Sequence, residues 1–218
     1  MALSKLNYNS LNVTPTAGKT VGFNSDADGL EATLSGGAMT FISKSTASSS
    51  STISFTSGID STYKEYVFIF KNIHPSADSA EFSFQADTGT NTSYNQTITS
   101  TFFKAQHRQD DVVTGLAYDT GADLGQSTNF QRLAFNIDNG NEDNLSGYLH
   151  VFNPSSSTFV KHFLSNCNYT YDGDANEQYS FNTFVGGYFN TTTAITRFQL
   201  KMESGNIDAG TITLYGIS

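Results

Sequence analysis

Residues 196–203 read Thr196-Arg197-Phe198-Gln199-Leu200-Lys201-Met202-Glu203, polar and apolar in strict alternation. Only a half-buried β-strand turns Phe198, Leu200 and Met202 to one side while Arg197, Gln199 and Lys201 meet water. The pattern recurs in both directions from this run. Residues 80–86 alternate with Phe82 and Phe84 inward, and residues 65–73 (Glu-Tyr-Val-Phe-Ile-Phe-Lys-Asn-Ile) are apolar on both faces, which predicts a central strand covered twice. Further strands are predicted over 39–43, 52–56, 94–103, 130–137, 147–152, 159–171, 179–189 and 210–217, broken by clusters of Gly, Asn, Asp and Ser. No window of useful length places apolar residues at helical spacing. These strands, with gaps of Greek-key length, predict an all-β fold, an antiparallel two-sheet β-sandwich of jelly-roll type.

Two stretches fall outside the pattern. Residues 1–36 contain Thr14-Pro15, Gly18, Gly22, Asp26, Asp28 and Gly29, with apolar residues too widely spaced for a core of their own. They predict an extended N-terminal arm that orders against a neighbour, leaving residues 37–218 as the sandwich domain. The longest irregular stretch, 108–129, is rich in Asp and Gly and predicts an exposed loop of the kind that carries recognition.

Composition narrows the function classes. Hydrophobic residues make up only 37%, but 18 Phe and 11 Tyr concentrate burial into large side chains. Each fully buried Phe contributes roughly 1.5–3 kcal/mol, enough for a core despite the low total. The formal charge is −9, and eleven scattered bases do not supply the positive field that nucleic acid or an anionic membrane requires. Cys167 stands alone, so no intrachain disulfide forms, and it reads as a small apolar core residue in a strand. The leading residues lack an apolar signal-peptide region, so the expectation is assembly in a cytoplasm without export.

Chemistry-bearing motifs are weak. Asn24-Ser25-Asp26-Ala27-Asp28-Gly29 resembles the front of a calcium loop, but Ser35 stands where the bidentate Glu belongs. The oxygen-rich stretches at 138–143 and 172–177 read as turn formers, so no metal and no cofactor are expected. His74, His107, His150 and His162 lack ligand spacing, and no nucleophile elbow or phosphate loop occurs. The expectation is a protein that is not an enzyme. Sugar sites use aromatic platforms flanked by amides and carboxylates. Tyr94 lies near such residues, and the candidate ligand loops, 108–129 and 168–177, carry Tyr118, Asp119, Tyr169 and Tyr171.

Four stretches, 1–32 (MALSKLNYNSLNVTPTAGKTVGFNSDADGLEA), 51–75 (STISFTSGIDSTYKEYVFIFKNIHP), 152–163 (FNPSSSTFVKHF) and 204–217 (SGNIDAGTITLYGI), together resemble virion structural proteins of tailed bacteriophages of marine bacteria, cyanophages especially. The resemblance implies a capsid decoration or a fibre-like appendage, located in the virion and assembled in the host cytoplasm. Other virion proteins of capsid or tail are the implied partners. Leu6, Leu11, Val13, Val21 and Phe23 of the arm would bury against them. Appendages of this kind are frequently trimeric, so the resemblance also implies a homotrimer. A tail-fibre module that recognises host surface glycan is the alternative.

Overall fold

The computed structural model describes residues 19–23, 30–34, 38–172 and 177–217, and every regular element among them is a strand. The chain divides into two units, Met1–Ala38 and Met39–Ser218. In the first, β1 (Lys19–Phe23) and β2 (Leu30–Leu34) pair antiparallel, with Lys19 opposite Leu34 and Phe23 opposite Leu30. These paired strands fall within the segment that sequence alone reads as a simple extended arm. Of the predicted anchoring residues, Val21 and Phe23 lie in β1, while Leu6, Leu11 and Val13 lie outside the described residues, as does the calcium-like stretch 24–29.

The second unit is built from two antiparallel sheets. One has eight strands in the order β3 (Met39–Thr46), β14 (Ile207–Ile217), β5 (Glu65–Pro75), β10 (Leu145–Phe152), β11 (Lys161–Asp172), β12 (Gln178–Phe189), β7 (Ile98–Arg108), β8 (Thr114–Tyr118). The other has four, in the order β4 (Ile53–Phe55), β13 (Ile195–Met202), β6 (Ala80–Thr88), β9 (Gln131–Ile137). The alternation in β13 is realised as read. Phe198 and Leu200 are wholly buried and Met202 nearly so, while Arg197, Gln199 and Lys201 are half-exposed on the other face.

Phenylalanine rings join the two layers. Phe84 of β6 meets Phe163 of β11 at 5.1 Å and Phe189 of β12 at 6.1 Å between ring centres, both edge-on. Phe68 of β5 lies between Phe55 of β4 at 5.2 Å and Phe198 of β13 at 5.0 Å, and Phe70 meets Phe82 at 5.2 Å. Edge-to-face pairs align each ring's positive rim with a neighbour's negative face, adding to the area term. Cys167 sits in this core, wholly buried, and desolvation pushes its thiol pKa up to about 12. Gly216 is required where β14 passes Tyr63, because a Cβ there would fall among the carbons of the tyrosine ring.

Two expectations are corrected. The stretch 108–129 is not one long irregular excursion: β7 extends to Arg108, and β8 returns beside it, with Phe103 opposite Tyr118 and His107 opposite Thr114. The stretch 168–177 is not a loop throughout, since β11 runs to Asp172 and β12 begins at Gln178.

Candidate functional site

The outer face of the four-stranded sheet carries a covered, polar cleft. Its construction starts from β6, where Ser83, Gln85 and Asp87 are buried although they point away from the core. Buried polar groups need partners. Gln85 Nε2 reaches the carbonyls of Gln96 at 2.9 Å, Thr128 at 3.2 Å and Asn129 at 2.9 Å. Asp87 accepts from the Tyr94 backbone N–H at 2.8 Å and from Gln96 Nε2 at 3.2 Å. These bonds fasten two loops, 89–97 and 119–130, over the sheet. Behind them, buried Gln131 donates to Ala122 O at 3.0 Å and accepts from Ser100 Oγ at 2.5 Å, while Ser100 Oγ accepts from Leu124 N at 2.9 Å.

Between these loops and the sheet lies a cleft of about 790 Å³, a volume usual for small-ligand sites. Its floor is a row of opposed charges. Arg132 Nη2 and Nε reach Glu81 Oε2 at 2.6 and 2.8 Å. Lys201 Nζ lies 3.3 Å from Glu203 Oε2 and 4.4 Å from the centre of the Phe130 ring. Ser83 Oγ donates to Glu203 Oε1 at 3.0 Å, and the Glu203 N–H donates to Glu81 O at 2.9 Å, which places the two glutamates side by side. Asn95, Asn129 and Asp123 complete the lining. The arrangement offers amides, carboxylates, a guanidinium and one aromatic ring, and each cation on the floor is already paired with a carboxylate.

The sequence-predicted ligand residues do not converge on one site. Tyr118 ends β8, half exposed, and its hydroxyl donates to Asp123 Oδ2 at 2.6 Å, which together with desolvation raises its pKa. Asp119 accepts from Lys104 Nζ at 3.2 Å and begins the loop that walls the cleft. Tyr169 is a core residue rather than a loop residue: it is 2% exposed, stacks on Phe181 at 5.6 Å, and burial raises its pKa. Tyr171 packs against Tyr179 at 5.8 Å and Phe181 at 5.6 Å. Tyr94 is buried and contributes its backbone to the loop anchor.

Glu81, Phe130, Arg132 and Glu203 carry no shared local signal because Glu81 comes from β6, Arg132 from β9, Phe130 from the residue before β9 and Glu203 from the residue after β13. Alternation marks Lys201 and Glu81 as outward, and nothing local marks that face as roofed. The phase of Phe163, Ser165, Cys167 and Tyr169 in β11 does carry a signal, since the four are two residues apart and all buried.

Elsewhere, Asp138 is nearly buried and accepts from the Asp172 N–H at 2.5 Å. Desolvation, with the Asp78 carboxyl, raises its pKa to about 6 against the lowering effect of that N–H. Among the described residues no group of three His, Cys, Asp or Glu could hold a metal ion, and no helix is long and apolar enough to cross a membrane. His150 Nε2 lies 2.8 Å from Glu65, His107 Nε2 lies 2.9 Å from Asp111, His74 Nε2 lies 3.0 Å from Gly140 O, and His162 packs on Tyr188. No protein-family profile, curated protein or solved structure matches the chain.

Proposed function

We propose that the chain is a non-enzymatic structural protein on the surface of a tailed-phage virion, a capsid decoration or fibre-like appendage attached through its N-terminal segment. The observation that carries this reading is the order of strands in the two sheets. Take β3, β4, β5, β6, β9, β10, β13 and β14 as strands one to eight. One sheet then contains one-eight-three-six and the other two-seven-four-five. We read that order as the double Greek key of a jelly roll, an architecture used by viral capsid and lectin domains. The hairpin partners β7–β8 and β11–β12 widen the first sheet without disturbing the roll. A body of this kind, in a chain that also has an N-terminal unit of its own, suits display from a particle, as the sequence resemblance implies. Particles purified from a phage lacking residues 1–36 of this protein should carry none of it, whereas the truncated chain should stay soluble. Its continued incorporation would remove the attachment role.

The absence of enzymatic function is part of the proposal. A paired-carboxylate glycosidase needs one carboxyl to give up a proton to the leaving group. Here Glu81 accepts from Arg132, and Glu203 accepts from Ser83 beside Lys201. Release of reducing sugar from host polysaccharide by the purified chain would contradict this.

The cleft favours a second reading, a receptor-binding module for host surface glycan. Amides and carboxylates suit sugar hydroxyls. The pairing of Arg132 and Lys201 with Glu81 and Glu203 leaves no surplus positive charge to hold a sulfate or uronate, so the ligand class is a neutral glycan. A glycan array probed with the full chain and with Arg132→Ala tests this. Binding to neutral glycans that the variant loses supports the reading, and equal binding by both, or none, removes it.

A further inference from the structure

The outer face of the eight-stranded sheet exposes a large apolar patch. Phe103, Leu116, Tyr118, Tyr148, Leu164 and Phe184 all point outward from five adjacent strands, β8, β7, β12, β11 and β10. Leu116 is 73% exposed and Leu164 53%. Phe103 and Phe184 stack at 5.1 Å with their planes 13° apart, an aromatic pair lying open to solvent. Together the six expose the equivalent of about three whole large side chains, or roughly 450–750 Å². Monomeric proteins rarely show a contiguous apolar patch beyond ~300–600 Å².

The polar residues between them strengthen the case. The outward side chains of residues 146–152, 162–170, 180–188, 99–107 and 114–118 include no Asp, Glu, Lys or Arg, although the chain has 20 acidic and 11 basic residues. Their amides are largely occupied within the sheet. Asn166 Nδ2 donates to Asn182 Oδ1 at 2.8 Å and Thr183 O at 3.0 Å, and Asn168 Nδ2 donates to Phe181 O at 2.8 Å. Covering groups that already have partners costs little desolvation.

From these observations we infer that this face is the contact between copies of this chain. The charge distribution selects that occupant. A chain of formal charge −9 repels its own copies, and the repulsion is least where the strands turn no Asp, Glu, Lys or Arg outward. Carboxylates meet this face only at its edges, Glu65 on His150, Asp111 on His107 and Asp123 on Tyr118. Five strands of this sheet span ~24 Å by roughly 25 Å. A footprint of that size approaches the ~800 Å² per partner of a stable interface. The inference stands on the face alone and does not depend on the virion reading.

Analytical ultracentrifugation of the full chain at tens of micromolar is the test, with the double variant Leu164→Asp/Phe184→Asp and the control Phe159→Asp, at an exposed ring in the loop between β10 and β11. The wild type and the control should sediment as oligomers and the double variant as a monomer, its dissociation constant weakened at least a hundredfold, at unchanged circular dichroism. A monomeric wild type overturns the inference, as does an oligomer that the double variant leaves intact. Should the double variant fold poorly, hydroxyl-radical footprinting of the unmodified chain decides. Concentration-dependent protection confined to Phe103, Tyr148, Leu164 and Phe184 supports the contact, and protection elsewhere or nowhere overturns it.

Discussion

Replacing Phe84 by Ala removes the ring that ties the two sheets together. Phe84 is wholly buried in β6 and touches Phe163 and Phe189 of the opposite sheet, as well as Phe198 of its own. Returning the lost area to the transfer scale costs ~1.5–3 kcal/mol. A residual cavity of ~80 Å³ at ~24 cal/mol per Å³ adds about 2 kcal/mol. The expected loss is therefore about 4 kcal/mol, within the ~3–5 kcal/mol seen for such truncations. In urea, with a slope of ~2–3 kcal/mol per molar, the midpoint should fall by ~1.5–2 M. Phe159→Ala, at a ring 69% exposed, should move the free energy by less than about 0.5 kcal/mol. A double-mutant cycle with Phe163→Ala isolates the contact between the sheets, and should return a coupling of about 0.5–1.5 kcal/mol. A midpoint shift under ~0.5 M for Phe84→Ala, or strict additivity with Phe163→Ala, would refute the packing of the layers described here.

Three further outcomes are expected. Gly216→Ala drives a methyl into the Tyr63 ring and should cost about 1–3 kcal/mol in the same urea assay, most of it recovered when Tyr63→Ala is added. Asp138 has a folded pKa of about 6, raised above its ordinary 3.8, so the folded state holds more protons and stability falls as pH rises through that window. Asp138→Asn keeps an acceptor for the Asp172 N–H. It should flatten melting temperature between pH 4 and 6 and stabilise the chain at pH 7 by about 1 kcal/mol, part of the shift being screened by solvent. Cys167, wholly buried with its thiol pushed up to about 12, should react with a thiol reagent only through unfolding, so its labelling rate should rise with urea in step with global opening.

Much of the fold is legible because burial in a two-sided strand imprints period two. Phe198, Leu200 and Met202 in β13, and Phe82 and Phe84 in β6, announce their faces directly. β8 left no such imprint: all five residues of Thr114–Tyr118 are exposed, so its strand character rests on hydrogen bonds to β7 rather than on a buried face. Residues 94–97 read as strand by propensity, yet β7 begins only at Ile98, because Asp87 and Gln85 hold the preceding residues as a loop. The cleft was illegible for a related reason. Glu81, Arg132 and Lys201 meet only through strand order, and the loops that wall the cleft are held by side chains such as Gln85 whose partners lie 11 to 44 residues away in sequence. The outer face of the larger sheet was hidden likewise, since one exposed Phe or Leu per strand is ordinary and becomes a patch only when five strands align.

The central proposal, a jelly-roll body attached to a phage particle through its N-terminal segment, is tested most directly by cryo-electron microscopy of purified virions. The account predicts density for the paired sheets on the outer surface of head or tail, with residues 1–36 running into the protein beneath. Virions that lack this chain, or that hold it with those residues facing solvent, would contradict it.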